Sequence, residues 1–175
     1  ERLRVYVLTG HGERDLTGSD ANGYNLVSQA LDAENYEVAP LDLTTTPTIP
    51  SNASLVIVAS PQKPLLDPEV KALDDYLVNG GKAFFLLDPS PRPELQPVLA
   101  KWGVKLQPGQ VVDPSAAVQN QPTVVVARQN QYVQSQITQF LGATVFPGAL
   151  GLTFDVPQAD QDHVAVSPLV GTTPD

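Results

Sequence analysis

The 175-residue sequence contains no cysteine and no methionine. Without thiols there is no disulfide, no thiolate zinc or other soft-metal site, and no cysteine nucleophile. Basic residues are scarce: ten Lys and Arg stand against 19 Asp and Glu, giving a formal net charge of -9. Beyond Lys105 the only Lys or Arg is Arg128. Nucleic acid and anionic membrane surfaces are held by clustered Lys and Arg, so neither is an expected partner. Long apolar runs are missing too, none approaching the roughly 20 residues of a membrane-spanning helix. The chain opens on Glu1 rather than Met and enters a strand within a few residues. The expectation is an excised segment whose parent carries any signal or anchor elsewhere.

What is present suits a globular α/β protein. Hydrophobic residues at 42% against charged residues at 17% place the chain outside the disordered class. Its length suits one domain with a sizeable core, expected over 1–159, with 160–175 as a C-terminal tail or edge element. The 17 prolines gather in connections rather than inside apolar runs, which argues for firm loops.

Leu3 to Leu8 alternates and ends in an apolar, β-branched run, so it predicts a strand leading into the Thr9-Gly10-His11-Gly12 loop. Residues 22–35 predict a helix with Leu26, Val27, Ala30 and Leu31 on its buried face and Ser19 or Asp20 as cap. Tyr36 to Leu43 predicts a second strand. Ser54 to Ala59 is a continuous apolar run of the kind covered on both faces, ended by the prolines of Ser60–Pro64. Asp67-Pro68-Glu69 opens a helix, with Asp67 as cap, Val70, Leu73, Tyr76 and Leu77 as its stripe, and Asn79-Gly80-Gly81 as its stop. Lys82 to Leu87 predicts another buried strand, and Glu94 to Trp102 a short helix. Further on, Val111-Val112, Thr123–Ala127, Ala143–Phe146 and 152–156 predict short strands, and Tyr132 to Leu141 a helix.

This alternation predicts a doubly wound, largely parallel sheet with helices on both faces and a less regular, β-rich C-terminal part. Ligands of such sheets bind beyond the carboxyl ends of the strands, at the point where strand order reverses. Those ends are Thr9–Arg14, Ser60–Pro64 and Asp88–Pro91. The candidate ligand-binding residues are Thr9, Gly10, His11, Gly12, Glu13, Arg14, Gln62, Lys63 and Asp88.

The first loop brings a His, a Glu and an Arg onto a glycine-softened turn. His11 and Glu13 could exchange protons with a ligand. The blander reading, that the glycines permit a turn which polar residues tie down, is favoured because no acid/base partner is identifiable. The spacing is no phosphate-binding fingerprint. Metal binding has little to draw on, since His11 and His163 are far apart and form no His-x-x-x-His pair. A Ser nucleophile would want Gly-x-Ser-x-Gly, which is absent, and Pro61 after Ser60 removes an N–H that an oxyanion hole would use. No catalytic residue, metal or cofactor is assigned.

An ordered set of stretches carries a resemblance. Val5–Glu13, Gly23-Tyr24, Asn35–Val38, Ile49-Pro50 and Pro61–Leu65 are followed by Leu77–Lys82 and Leu86–Pro89. Trp102–Val104, Val111–Asp113, Ile137-Thr138 and Val145–Ala149 complete it. Together they resemble the gliding-motility-type auxiliary component of ABC transport systems. The resemblance implies an extracytoplasmic domain, periplasmic or on the cell-surface side, of a bacterial protein anchored by segments outside this chain. It also implies the transporter's membrane and ATPase subunits as partners, and a fold similar to flavodoxin-like and class I glutamine amidotransferase-like domains. Amidotransferase chemistry is not carried over, because the Cys of that Cys–His–Glu triad is missing.

The expected function is therefore a non-catalytic auxiliary domain that binds a transporter partner, another copy of itself or an envelope ligand. The alternative is a small-molecule or glycan-binding module using the cleft at the strand ends. A hydrolase built on His11 and Glu13 stands behind both.

Overall fold

The computed structural model describes residues 2–20, 23–155 and 164–172. Two compact units divide the chain, Glu1–Leu87 and Asp88–Asp175.

The first unit runs β1 (Leu3–Thr9), α1 (Asn25–Ala33), β2 (Tyr36–Asp42), β3 (Ala53–Ala59), α2 (Asp67–Val78) and β4 (Ala83–Leu86). Its four strands form one parallel sheet in the order β2-β1-β3-β4. The central strands are the two most apolar runs of the sequence, as a sheet covered on both faces demands. Register pairs Val5 with Leu55 and Val7 with Ile57. Val5, Val7, Ile57 and Ala59 thus share a face, where Tyr24 and Leu31 pack against them. The alternate residues Tyr6, Leu8, Val56 and Val58 are just as buried on the other face. Right-handed crossovers assign that face to α2, whose Leu73 and Leu77 are buried. Each such leucine contributes about 1.5–3 kcal/mol.

Three expectations need correction here. α1 begins at Asn25 with Tyr24 at its cap and no side-chain cap bond, so neither Ser19 nor Asp20 caps it. Its inner face is Tyr24, Ser28 and Leu31, while Leu26 and Val27 are 73% and 43% exposed. The apolar residues span more of the helix circumference than the sheet can cover, and packing chose one side of them. Second, Leu66 rather than Asp67 caps α2. Its N–H donates to Glu69 Oε2 at 2.6 Å, so the first turn is closed by Glu69 reaching back. Third, β4 is an outer strand rather than a buried one, pairing with β3 alone among the described residues, and Phe84 is half exposed.

The stop after α2 forms as expected. Gly80 (φ +86°) donates its N–H to the Leu77 carbonyl and Gly81 to that of Tyr76, a Schellman end.

The second unit holds α3 (Gln96–Lys101), β5 (Val104–Leu106), β6 (Ala117–Val118), β7 (Gln121–Ala127), β8 (Thr144–Pro147) and β9 (Leu152–Phe154). β5 pairs antiparallel with β9, and β6-β7-β8 form a separate antiparallel sheet. Among the described residues the chain is mixed α/β, with one parallel sheet and two antiparallel ones. Val111-Val112 forms no strand. Tyr132 to Leu141 forms no α-helix either: a 3-10 turn over Gln129–Gln131 is followed by a bend and one hydrogen-bonded turn. There the Ser135 hydroxyl accepts the N–H groups of Ile137 and Thr138. Local side-chain bonding of this kind competes with helix propagation. Val156 and residues 157–163 of the expected strand and tail lie outside the described residues. Val170 bridges to Tyr132.

Candidate functional site

In the order β2-β1-β3-β4 the chain leaves β1 toward one edge and β3 toward the other, so the switch point lies between the carboxyl ends of β1 and β3. The loops from those two ends are strapped together. The His11 carbonyl accepts the N–H groups of Gln62 and Lys63 at 2.8 and 2.9 Å, and Arg14 N–H donates to the Ala59 carbonyl at 3.0 Å. Gly10 (φ +114°) and Gly12 (φ +78°) supply the left-handed backbone this path needs. A Cβ on Gly12 would lie 3.2 Å from Gln62 Cβ, so the glycine also lets the two loops touch.

His11 turns inward. Its side chain is 6% exposed, and it sits between two carboxylates that are buried still deeper, Glu13 at 2% and Glu69 at 1%. Nε2 lies 3.0 Å from Glu69 Oε2, and Nδ1 lies 3.4 Å from Glu13 Oε1. Each carboxylate has a second duty. Glu13 Oε2 accepts the backbone N–H of His11 at 2.7 Å, and Glu69 Oε2 accepts that of Leu66. His11 Nδ1, Glu13 Oε1 and Glu69 Oε1 are buried without a close hydrogen bond. The trio ties the β1 loop to the first turn of α2.

Ser60 closes β3 in the left-handed region (φ +53°), uncommon for a serine. It is buried, and its N–H donates to the Leu86 carbonyl at 2.8 Å. Its hydroxyl faces that same carbonyl at 3.5 Å.

Beside these loops opens a cleft of about 450 Å³, walled by Gly12, Glu13, Arg14, Asp15 and Asp20 with Gln62 opposite. The N–H and hydroxyl of Thr17 both donate to Asp15 Oδ1 at 2.8 Å, and they hold the Asp15 carboxyl below its usual range.

The sequence candidates therefore separate. Gly12, Glu13, Arg14 and Gln62 meet at the cleft. His11 lies behind it in the buried trio. Thr9 ends β1 with its hydroxyl toward the Leu41 carbonyl at 3.3 Å, and Gly10 turns the chain against Thr44. Lys63 joins through its backbone N–H, with its side chain exposed. Asp88 begins the second unit. Glu69 was not foreseen, because the residue three before it is Leu66, which has no side-chain oxygen to mark a capping box in the sequence. Asp15 and Asp20 carried no signal. Among the described residues no group of three His, Cys, Asp or Glu is placed to hold a metal ion. His163 lies outside them.

The profile of a family described as an ABC-type uncharacterized transport system matches residues 2–175. No curated protein matches the chain. Among solved structures, one described as the mmIFT52 N-terminal domain is similar to it with a TM-score of 0.62 at 16% identity, over 89% of this chain and 69% of that one. At that identity the likeness concerns the fold alone.

Proposed function

Since the chain belongs to this family of ABC-type uncharacterized transport system proteins, we propose that it is a non-catalytic auxiliary domain acting by partner binding on the extracytoplasmic side. Its parent is of the gliding-motility type, held in the membrane by segments outside this chain, next to the transporter's membrane and ATPase subunits. The observation that carries the non-catalytic reading is the burial of the trio. His11, Glu13 and Glu69 face one another, and one oxygen of each carboxylate accepts a loop N–H, so the trio is turned away from solvent. General acid/base work needs such groups within reach of substrate. The hydroxyls that end β1 and follow β3, those of Thr9 and Ser60, face carbonyls rather than a base.

The fold reading extends the same way. The order β2-β1-β3-β4 is the leading part of the flavodoxin-like order 2-1-3-4-5, which supports a doubly wound, flavodoxin-like or class I glutamine amidotransferase-like ancestry for the first unit.

The test is co-purification of the tagged full-length parent from detergent-solubilised membranes. Recovery of an ABC transporter's membrane and ATPase subunits is expected. Recovery of the parent without either overturns the reading. Protease digestion of intact cells stripped of their outer layers is expected to reach this domain, and protection until lysis would place it on the other side.

The cleft favours a second reading, a small-molecule or glycan module. It pairs one Arg with Asp15, Asp20 and the Gln62 amide, a mixed donor and acceptor wall suited to hydroxyl-rich ligands. Calorimetric titration with a panel of sugars and small acids decides. Saturable binding lost in Gln62→Ala supports it, and no heat from any member removes it.

A further inference from the structure

The second unit carries a feature that the transport reading does not use. Between Asp113 and Asp155 the sequence has one charged residue, Arg128, and the run from Gln129 to Phe154 has none. Two complementary shapes lie on this stretch and on the 167–172 segment beside it.

The first is a knob. The turn at 135–141 is tied to itself: Ser135 and Thr138 bond through hydroxyl and backbone groups, and Gln139 and Leu141 N–H groups donate to the Ser135 and Thr138 carbonyls at 3.0 Å. Thr138 is buried. The same turn leaves Ile137 70% and Phe140 89% exposed. A turn fixed by its own polar bonds that exposes its apolar side chains is a shaped protrusion rather than a slack loop.

The second is a groove of about 620 Å³, bounded by Val125, Phe146, Leu152, Phe154, Leu169 and Val170. Leu152, Phe154 and Val170 stand 40–49% exposed at its rim. Val133 N–H donates to the Leu169 carbonyl at 2.9 Å and Gly171 N–H to that of Gln131 at 3.0 Å. The wall of the groove is thereby joined to the root of the knob, with Arg128 lining the space between them; the described lining of the groove itself carries no charged side chain.

We propose that the Phe140 turn of one copy seats in this groove of a second copy, each giving a knob and receiving one across a two-fold axis. Charge selects the occupant. A protein of net charge -9 repels its own copies, and a contact whose described lining has no carboxylate lets two of them meet without opposing charges. A knob and a groove on one surface are self-complementary, as a closed two-fold contact requires. An anionic bilayer is the poorer occupant, because such turns are drawn to lipid by flanking Lys and Arg, and here Arg128 stands alone. The inference is independent of the transport reading.

Sedimentation velocity of the purified chain over rising concentration tests it. A monomer–dimer equilibrium is expected, and Phe140→Ser should weaken it at least about tenfold, as removal of an interface anchor does. Phe140 is too exposed for that change to disturb folding. The absence of cysteine allows a second readout: Phe140→Cys and Leu152→Cys variants, mixed, should form a disulfide-linked heterodimer under mild oxidation, well above the homodimers of either alone. A monomer at every concentration, a dimer indifferent to Phe140→Ser, or cross-linking no better in the mixture overturns the proposal. So does a monomer that floats with phosphatidylcholine vesicles through Phe140, which would assign the knob to lipid.

Discussion

His11 Nε2 lies 3.0 Å from the carboxylate of Glu69, and the two side chains are all but sealed from water. One belongs to the loop after β1 and the other to the first turn of α2, so a single buried contact joins two elements far apart along the chain. Removing one member strands the other. Glu69→Ala also frees the Leu66 N–H, and Glu69→Gln keeps the shape and one acceptor oxygen. We expect a loss of about 1–3 kcal/mol for each buried group left without its partner, larger for the alanine variant than for the glutamine variant, read by urea unfolding. In a double-mutant cycle with His11→Gln the two losses should fail to add. Additive losses would show that the contact contributes nothing of its own.

The loop glycines separate strain from crowding. Gly12 and Gly80 both have left-handed backbones, yet a Cβ on Gly80 would meet nothing while one on Gly12 would meet Gln62. Each alanine variant should lose about 1–2 kcal/mol from backbone strain. Only Gly12→Ala should also shift the NMR signals of the Gln62 side-chain amide. Equal disturbance of that amide by both would place the effect in the backbone alone.

Asp15 on the cleft wall is held as a carboxylate by Thr17, first through its N–H and then through its hydroxyl. A carboxyl whose value is lower in the folded state stabilises the fold above its ordinary value, near about 4, and that contribution is lost as pH falls through the folded value. Thr17→Val removes the hydroxyl, so the Asp15 titration followed by NMR should move upward. A titration unchanged by Thr17→Val would mean the backbone N–H acts alone.

Gly81 permits the helix stop through close contact. A Cβ there would lie 2.5 Å from the ring of Tyr76, whose hydroxyl donates to the Ala53 carbonyl at 3.3 Å. Gly81→Ala should therefore displace the ring and destabilise the first unit. Combined with Tyr76→Leu it should destabilise by less than the sum of the two. Strict additivity in thermal unfolding would show that the ring moves aside freely.

How much of this was legible differs from residue to residue. β1 and β3 announce themselves because a strand buried on both faces is apolar throughout, and Gly10 and Gly12 mark the turn that follows. Arg14 and Gln62 line the cleft as strand-end residues of a parallel sheet should, while the Glu13 side chain turns inward to His11. The inner face of α1 was not legible, since Leu26, Val27 and Leu31 offer overlapping stripes and only the neighbouring sheet picks between them. The expected helix over 132–141 failed because Ser135 and Thr138 can bond the backbone locally, which composition does not weigh against helix propensity.

The amino-acid sequence by itself determined which chemistries are absent, where the two central strands run, and that their ends form one glycine-bearing loop region. Those are local properties, set by side-chain type and by a period of two or of 3.6 residues. That His11 is enclosed between Glu13 and Glu69 rather than open to a ligand was decided only by the tertiary structure. A buried polar contact depends on which distant segments are brought together and on how much water is excluded between them. Neither quantity is carried by any short stretch of sequence.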